Sequence, residues 1–270
     1  MTRAFLIALA ISLLTACATS PTGRKQLMLI SPESAIVQSK AAYLDTVGDF
    51  DKQNKLVDDP KLADRVATIT GRLVTEAIAM YPNSRDWEWS VAIVDDPDTV
   101  NAWCMAGGRM AVYTGLFEKL KLTDAEFAQI MGHEISHALA NHTAERMSRA
   151  MATTLGVVAV GAMSDKPGVA MTGAALAAKL ALELPNSRTA ESEADRIGME
   201  LAVRAGYDPD AAVTLWQKMG AVGGASPPQF LSTHPAPGNR EEALAKLTPE
   251  MRKLNPTGKL APVHPVQIVR

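Results

Sequence analysis

Thr123-Asp124-Ala125-Glu126-Phe127-Ala128-Gln129-Ile130-Met131-Gly132-His133-Glu134-Ile135-Ser136-His137-Ala138-Leu139 is the stretch around which the rest of the chain is read. Thr123 to Glu126 has the Thr-x-x-Glu form of a capping box, and Leu122 with Phe127 occupies the two positions of a hydrophobic staple. A helix therefore starts at Asp124, and the pattern predicts that it runs through Met147. Within it, His133 and His137 are four residues apart and share a face one turn apart, so both imidazoles can reach one metal ion. Glu134 is one step round the helix. That offset lets its carboxylate approach a metal-bound water as general base without taking a coordination position.

A catalytic zinc site takes three protein ligands and leaves the fourth position open. His142 lies five residues past His137, about 140° round an ideal helix, so it points off the ligand face and reads as a structural or surface residue. A metzincin would carry histidine six residues after the second ligand, where Thr143 stands. The better candidate is Glu191, in Arg188-Thr189-Ala190-Glu191-Ser192-Glu193-Ala194-Asp195, near the start of a helix expected from about Arg188 to Arg204. Glu191 and Asp195 share a face, which allows one to bind zinc and the other to orient a ligand imidazole, while Glu193 points elsewhere. An acidic cluster by itself is usually a solvated helix start. The two histidines upstream are what favour a ligand here.

The remainder bounds the setting. With 270 residues, 47% of them hydrophobic, the chain can bury a core, and 27 Lys+Arg against 29 Asp+Glu leave no basic surplus for a nucleic-acid partner. Residues 1–16 read as a targeting segment, and Leu14-Thr15-Ala16-Cys17 resembles the lipobox of bacterial lipoproteins, which makes Cys17 a lipidation site and membrane anchor. Ala18 in place of aspartate points to the periplasmic face of the outer membrane. Residues 17–30 form the tether, 31–250 the domain and 251–270 a polar tail. Ser31-Pro32-Glu33 and Asp59-Pro60 each open a helix. Trp87 to Val94, Asn101 to Met105 and Arg109 to Thr114 have the period of strands, with Gly107-Gly108 as a hairpin turn and Cys104 as a buried strand residue. The fold is α+β, mainly helical with a sheet of about three strands. Ala150–Met163 and Gly168–Ala178 are uncharged runs, open to two readings: closely packed helices, or a lid or membrane-touching hairpin.

The two histidines with Glu134, followed some fifty residues later by Glu191-x-x-Ala194-Asp195, resemble the zinc metallopeptidases that include the CAAX prenyl endopeptidase and the HtpX heat-shock protease. Asn101-Ala102-Trp103, Gly107-Gly108, Tyr113-Thr114-Gly115, and Ser232-Thr233-His234-Pro235 with Arg240 match as well, over roughly residues 25 to 247. Ala106 departs from the proline usual there. The resemblance implies a zincin-type domain beside one Zn²⁺ per chain, held by His133, His137 and Glu191, with Asp195 in support and Glu134 activating the metal's water. It places His234 close to the metal, as oxyanion stabiliser or as a residue that blocks the open position, supported by Arg240. The strand from Asn101 to Met105, with Asn101, Ala102 and Trp103 as binding residues, is expected to take an extended substrate as an added strand, and the lipobox together with the resemblance implies that the substrates are unfolded or misassembled envelope proteins. A rival from another class is a zinc-containing chaperone or assembly factor for outer-membrane proteins, its Met-rich runs making adaptable contacts.

Overall fold

The computed structural model describes residues 17–179, 184–222, 229–234 and 239–270. Residues 1–16, read from sequence as a targeting segment, residues 223–228 and Pro235 lie outside them. Cys17–Thr19 (β1) and Lys25–Leu27 (β2) pair antiparallel. Two long helices follow, Pro32–Lys52 (α1) and Pro60–Met80 (α2), each started by the expected device: Ser31 Oγ accepts from the Ser34 amide, Asp59 from the Lys61 and Leu62 amides, and proline takes the first helical position. On α2, Val66, Ile69, Leu73, Val74 and Ala77 are buried, the stripe that a helical period dictates.

Ser90–Val94 (β3), Ala102–Met105 (β4) and Arg109–Tyr113 (β5) carry the sheet. β4 and β5 form an antiparallel hairpin, and β5 runs parallel to β3. Gly107 and Gly108 have φ of +88° and +80°, and a Cβ on Gly108 would lie 2.5 Å from the Trp89 ring, so the turn accepts only glycine there. Trp87 to Trp89 precede the strand instead of belonging to it. The expected three strands are four: Gln267–Val269 (β6), from the segment read as a tail, pairs parallel with β3 and gives the order β4-β5-β3-β6. β4 is thus an edge strand.

Thr114–Leu120 (α3) leads to Asp124–Leu139 (α4), whose capping box is fully formed. Phe127, Ile130, Met131 and Ile135 are completely buried, so α4 is the central helix of the domain. It ends earlier than the sequence suggests. Asn141 takes a left-handed conformation, φ 56°, and a separate helix His142–Ala162 (α5) begins in a new direction. Pro167–Ala178 (α6) packs back on α5, with Met171 against Gly161. Met151, Leu155, Val158, Met163, Val169 and Leu176 remain exposed. Among the described residues no helix is long and apolar enough to cross a membrane. Leu184–Arg204 (α7), Asp210–Val222 (α8), Gln229–Thr233 (α9) and Arg240–Met251 (α10) complete the helical side.

The segment 17–30, expected as a tether, lies against the domain. Gln26 is buried and donates to the Ala140 carbonyl and to Glu145, while the Ile30 amide donates to Ser148 Oγ 2.8 Å away. Its polar groups find hydrogen-bond partners in the domain more than a hundred residues away, which composition alone does not reveal.

Candidate metal centre

α4 and α7 cross where Gly132 meets Gly198. A Cβ on Gly198 would lie 2.6 Å from the His133 amide nitrogen, and one on Gly132 2.6 Å from the Gly198 carbonyl oxygen. This near contact of backbones sets Asp195 and Glu191, about one and two turns before Gly198 on α7, opposite His133 and His137 on α4.

The ligand atoms converge. His133 Nε2 lies 3.0 Å from His137 Nε2, 3.2 Å from Glu191 Oε2 and 3.3 Å from His234 Nδ1. His137 Nε2 is 3.5 Å from Glu191 Oε1, and His234 Nδ1 3.2 Å from Glu191 Oε2. A tetrahedral zinc with bonds of about 2.0–2.1 Å spaces its donors about 3.3 Å apart, close to these five separations, and all four residues offer ligand atoms within 4.8 Å of one another. The chemistry of the donor set agrees. Asp195 Oδ1 accepts a hydrogen bond from His133 Nδ1 at 3.0 Å, and His142 Nδ1 sits 2.8 Å from His137 Nδ1. With Nδ1 of each ring engaged outside the cluster, both Nε2 atoms face into it, the arrangement in which two imidazoles can ligate one cation.

Electrostatics follows from burial. Burial would raise the Glu191 carboxyl, but hydrogen bonds with His133, His137 and His234 outweigh it and hold the group well below the usual carboxylate range. Burial would lower His133, and its bonds to Asp195 and Glu191 push it up to about 9 instead. His137 has no such excess of acidic partners, and burial drives it well down. Burial raises Glu134, partly offset by the charges of His234 and His133. Glu134 Oε1 is buried with no hydrogen-bond partner among the described residues, 3.4 Å from His234 Nε2.

His234 reaches the cluster from the end of α9. Phe230, fully buried, stacks on its ring with centroids 4.5 Å apart, and the Phe230 amide donates to the Val100 carbonyl at 3.1 Å. Arg240 hydrogen-bonds Asp195, lies 3.2 Å from His133 Nδ1 and covers the Trp216 ring at 3.6 Å. Asn101, Ala102 and Trp103 line a cleft of about 530 Å³ together with Glu134, His137, Glu191 and His234. Trp103 also packs edge-on against Tyr43, with ring centroids 5.8 Å apart. Cys17 stands apart from this site and is exposed.

Two residues have roles that the sequence did not disclose. His142 stays outside the donor group, as its spacing implied, but the helix is not continuous, and the break at Asn141 sets it, buried, against His137 Nδ1. The available signal was Asn141 itself, since asparagine is one of the few residues that enter the left-handed region readily. Glu193 does point away from the metal, yet it is buried and accepts from His142 Nε2 at 3.1 Å and Arg24 Nε at 2.9 Å. No local signal announces that contact.

Comparison with known proteins agrees with this geometry. The chain is 32% identical to the bovine mitochondrial metalloendopeptidase OMA1 over 254 residues, covering 90% of this chain and 48% of the relative. It is 36% identical to the Arabidopsis thaliana mitochondrial metalloendopeptidase OMA1 over 189 residues, 70% of this chain and 38% of that one. The Escherichia coli β-barrel assembly-enhancing protease is 29% identical over 208 residues, 74% of this chain and 41% of the relative. The chain thus matches less than half the length of each of these relatives. The model of peptidase family M48 matches residues 60–248, a span that holds both histidines of α4, Glu191 and His234. On that match, and with these donors gathered as zinc requires, the chain belongs to peptidase family M48, whose members are zinc metallopeptidases.

Proposed function

We propose that this protein is a zinc endopeptidase of the cell envelope that hydrolyses peptide bonds of unfolded or misassembled envelope proteins. The observation that carries this reading is Glu134: a buried carboxylate with an oxygen that has no hydrogen-bond partner among the described residues, beside four converging donors and lining a cleft together with β4. Bound zinc supplies a water made acidic and a Lewis acid for the scissile carbonyl. Glu134 receives the proton of the attacking water at Oε1 and delivers it to the amide nitrogen as the C–N bond breaks. Among the described residues β4 pairs with a strand on one side only, so the edge at Asn101, Ala102 and Trp103 can take an extended chain as a further strand. Such pairing reads backbone and selects polypeptide that is not folded. Asp195 orients His133, and Arg240 holds Asp195.

His234 supplies a fourth donor, and four protein donors close a zinc site. In this reading His234 caps the site at rest and moves aside to stabilise the oxyanion when substrate enters. Residues 1–16 are the signal, Cys17 the lipidated anchor and the outer membrane the destination; Leu14 to Cys17 and the exposure of Cys17 support this. The name of the E. coli relative, a protease that enhances β-barrel assembly, favours the same compartment.

The exposed apolar side chains of α5 and α6 favour a second reading, a zinc-containing chaperone or assembly factor with little proteolysis. Zinc content and casein cleavage separate the two. Glu134→Gln keeps its zinc and loses at least about 100-fold in cleavage rate, the scale of general-base catalysis. If the parent holds zinc and does not cleave, His234→Ala decides: a capped protease gains activity and a chaperone does not. A parent that binds no zinc refutes both readings.

A further inference from the structure

The N-terminal hairpin is wired to the metal site. Arg24, between β1 and β2, donates through Nη1 and Nη2 to the two oxygens of Glu145, both at 2.7 Å, and through Nε to Glu193 Oε2 at 2.9 Å. Thr22 Oγ1 donates to Glu193 Oε1 at 2.5 Å. Glu193 Oε2 is 3.1 Å from His142 Nε2, and His142 Nδ1 is 2.8 Å from His137 Nδ1. Glu145, Glu193 and His142 are all buried, each at 5% exposure or less.

The direction of every bond is fixed. An imidazole that offers Nε2 to a metal carries its proton on Nδ1, so His137 donates to His142 Nδ1, which must accept. With Nδ1 accepting, the ring proton of His142 is on Nε2 and is donated to the Glu193 carboxylate. Glu193 is an acceptor only, and its remaining capacity is filled by Arg24 and Thr22. Removing any member leaves the one before it free to rotate or to take the other tautomer, and the error arrives at His137. Asp195 performs the same service for His133 in a single step; for His137 the service needs four residues from three separate parts of the chain.

We propose that His142, Glu193 and Arg24 are positioning residues for the metal ligand His137, so that the affinity for zinc depends on how residues 17–27 are seated. The inference rests on the zinc site of the preceding section and adds a segment outside the matched span, residues 60–248, to that site. It makes metal retention sensitive to whatever holds or displaces the hairpin that follows Cys17.

The test uses the full chain, stripped with a chelator and titrated with Zn²⁺ against a chromophoric competitor. Co²⁺ is titrated separately and its visible absorption bands recorded as a readout of coordination geometry, with thermal melting as the control for folding. His142→Ala is expected to raise the Kd for zinc roughly 10- to 100-fold, the usual effect of losing a partner behind a ligand, and to shift the cobalt bands. Arg24→Ala raises it in the same direction by a smaller factor. His142→Asn, which restores an acceptor near the Nδ1 position, binds closer to the parent than His142→Ala does. A purely architectural role would lower the melting temperature and leave Kd and the cobalt spectrum unchanged, which would overturn the proposal. Should His142→Ala not fold, Arg24→Ala carries the test alone, an unchanged Kd refuting it and a raised one supporting it. A parent that binds no zinc overturns the metal reading and this inference together; a parent that binds it with both variants its equal overturns this inference alone.

Discussion

Glu145 shows how much a single side chain can be asked to hold. It accepts from both terminal nitrogens of Arg24, from Gln26 and from Arg149. Burial alone would raise its pKa, but these donors bring it down from an ordinary 4.5 to about 2. A carboxylate depressed in this way contributes stability that is fully present above its unfolded pKa and is lost as pH falls through the folded one. The loss therefore falls between pH 4.5 and about 2. Glu145→Gln is expected to cost about 2 kcal/mol at pH 7 and to flatten the fall in melting temperature across that window. Parallel falls in parent and variant would show that another group carries the acid sensitivity. At this scale His133, Glu134 and His137 were legible, since their relation is set within five residues of one helix. His142 was not, because its side follows from one backbone angle at Asn141.

At the scale of elements, the crossing of α4 on α7 decides whether a site exists. Cβ atoms at Gly132 and Gly198 would each meet backbone at 2.6 Å, and backbone cannot rotate aside as a side chain can. Gly198→Ala should therefore force the two helices apart, cost about 3 kcal/mol and lower zinc content together with the melting temperature. A variant with the parent's melting curve and full zinc would mean that the helices slide without cost. Gly156→Ala, with nothing within 4 Å of the added Cβ, serves as the matched control. The starts of α1, α2 and α4 were readable from caps and prolines. The end of α4 was not, because no proline or glycine marks it and residues that favour or tolerate a helix continue past it to Met147.

For the whole molecule, the two ends of the described chain are what the domain closes upon. The C-terminal segment adds β6 to the sheet, and on the way the Ala261 amide donates to the Ala205 carbonyl and the His264 amide to the Gly71 carbonyl, both at 3.1 Å. It thereby ties α7, α2 and β3 together. Deleting residues 262–270 should cost about 2 kcal/mol and lower the melting temperature by roughly 4–8 °C, with the donor cluster, formed by other elements, still binding zinc. A deletion that leaves the melting temperature unchanged would show β6 to be marginal. Read as composition, these residues are a polar, proline-punctuated tail, and residues 17–30 a tether. Both descriptions miss partners far away along the chain.

The sequence by itself determined the start of the central helix, the shared face of His133 and His137, the place of Glu134 beside them and the pairing of Glu191 with Asp195. All of these depend on helical period and capping, which act between residues no more than a turn or two apart. Only the tertiary structure decided that α7 lies against α4 at Gly132 and Gly198, that His142 faces His137, and that Thr22 reaches Glu193 across 171 residues of chain. Those contacts are settled by the mutual fit of surfaces and by the cost of leaving a buried charge without a partner. Neither quantity is a property of any short stretch of the chain.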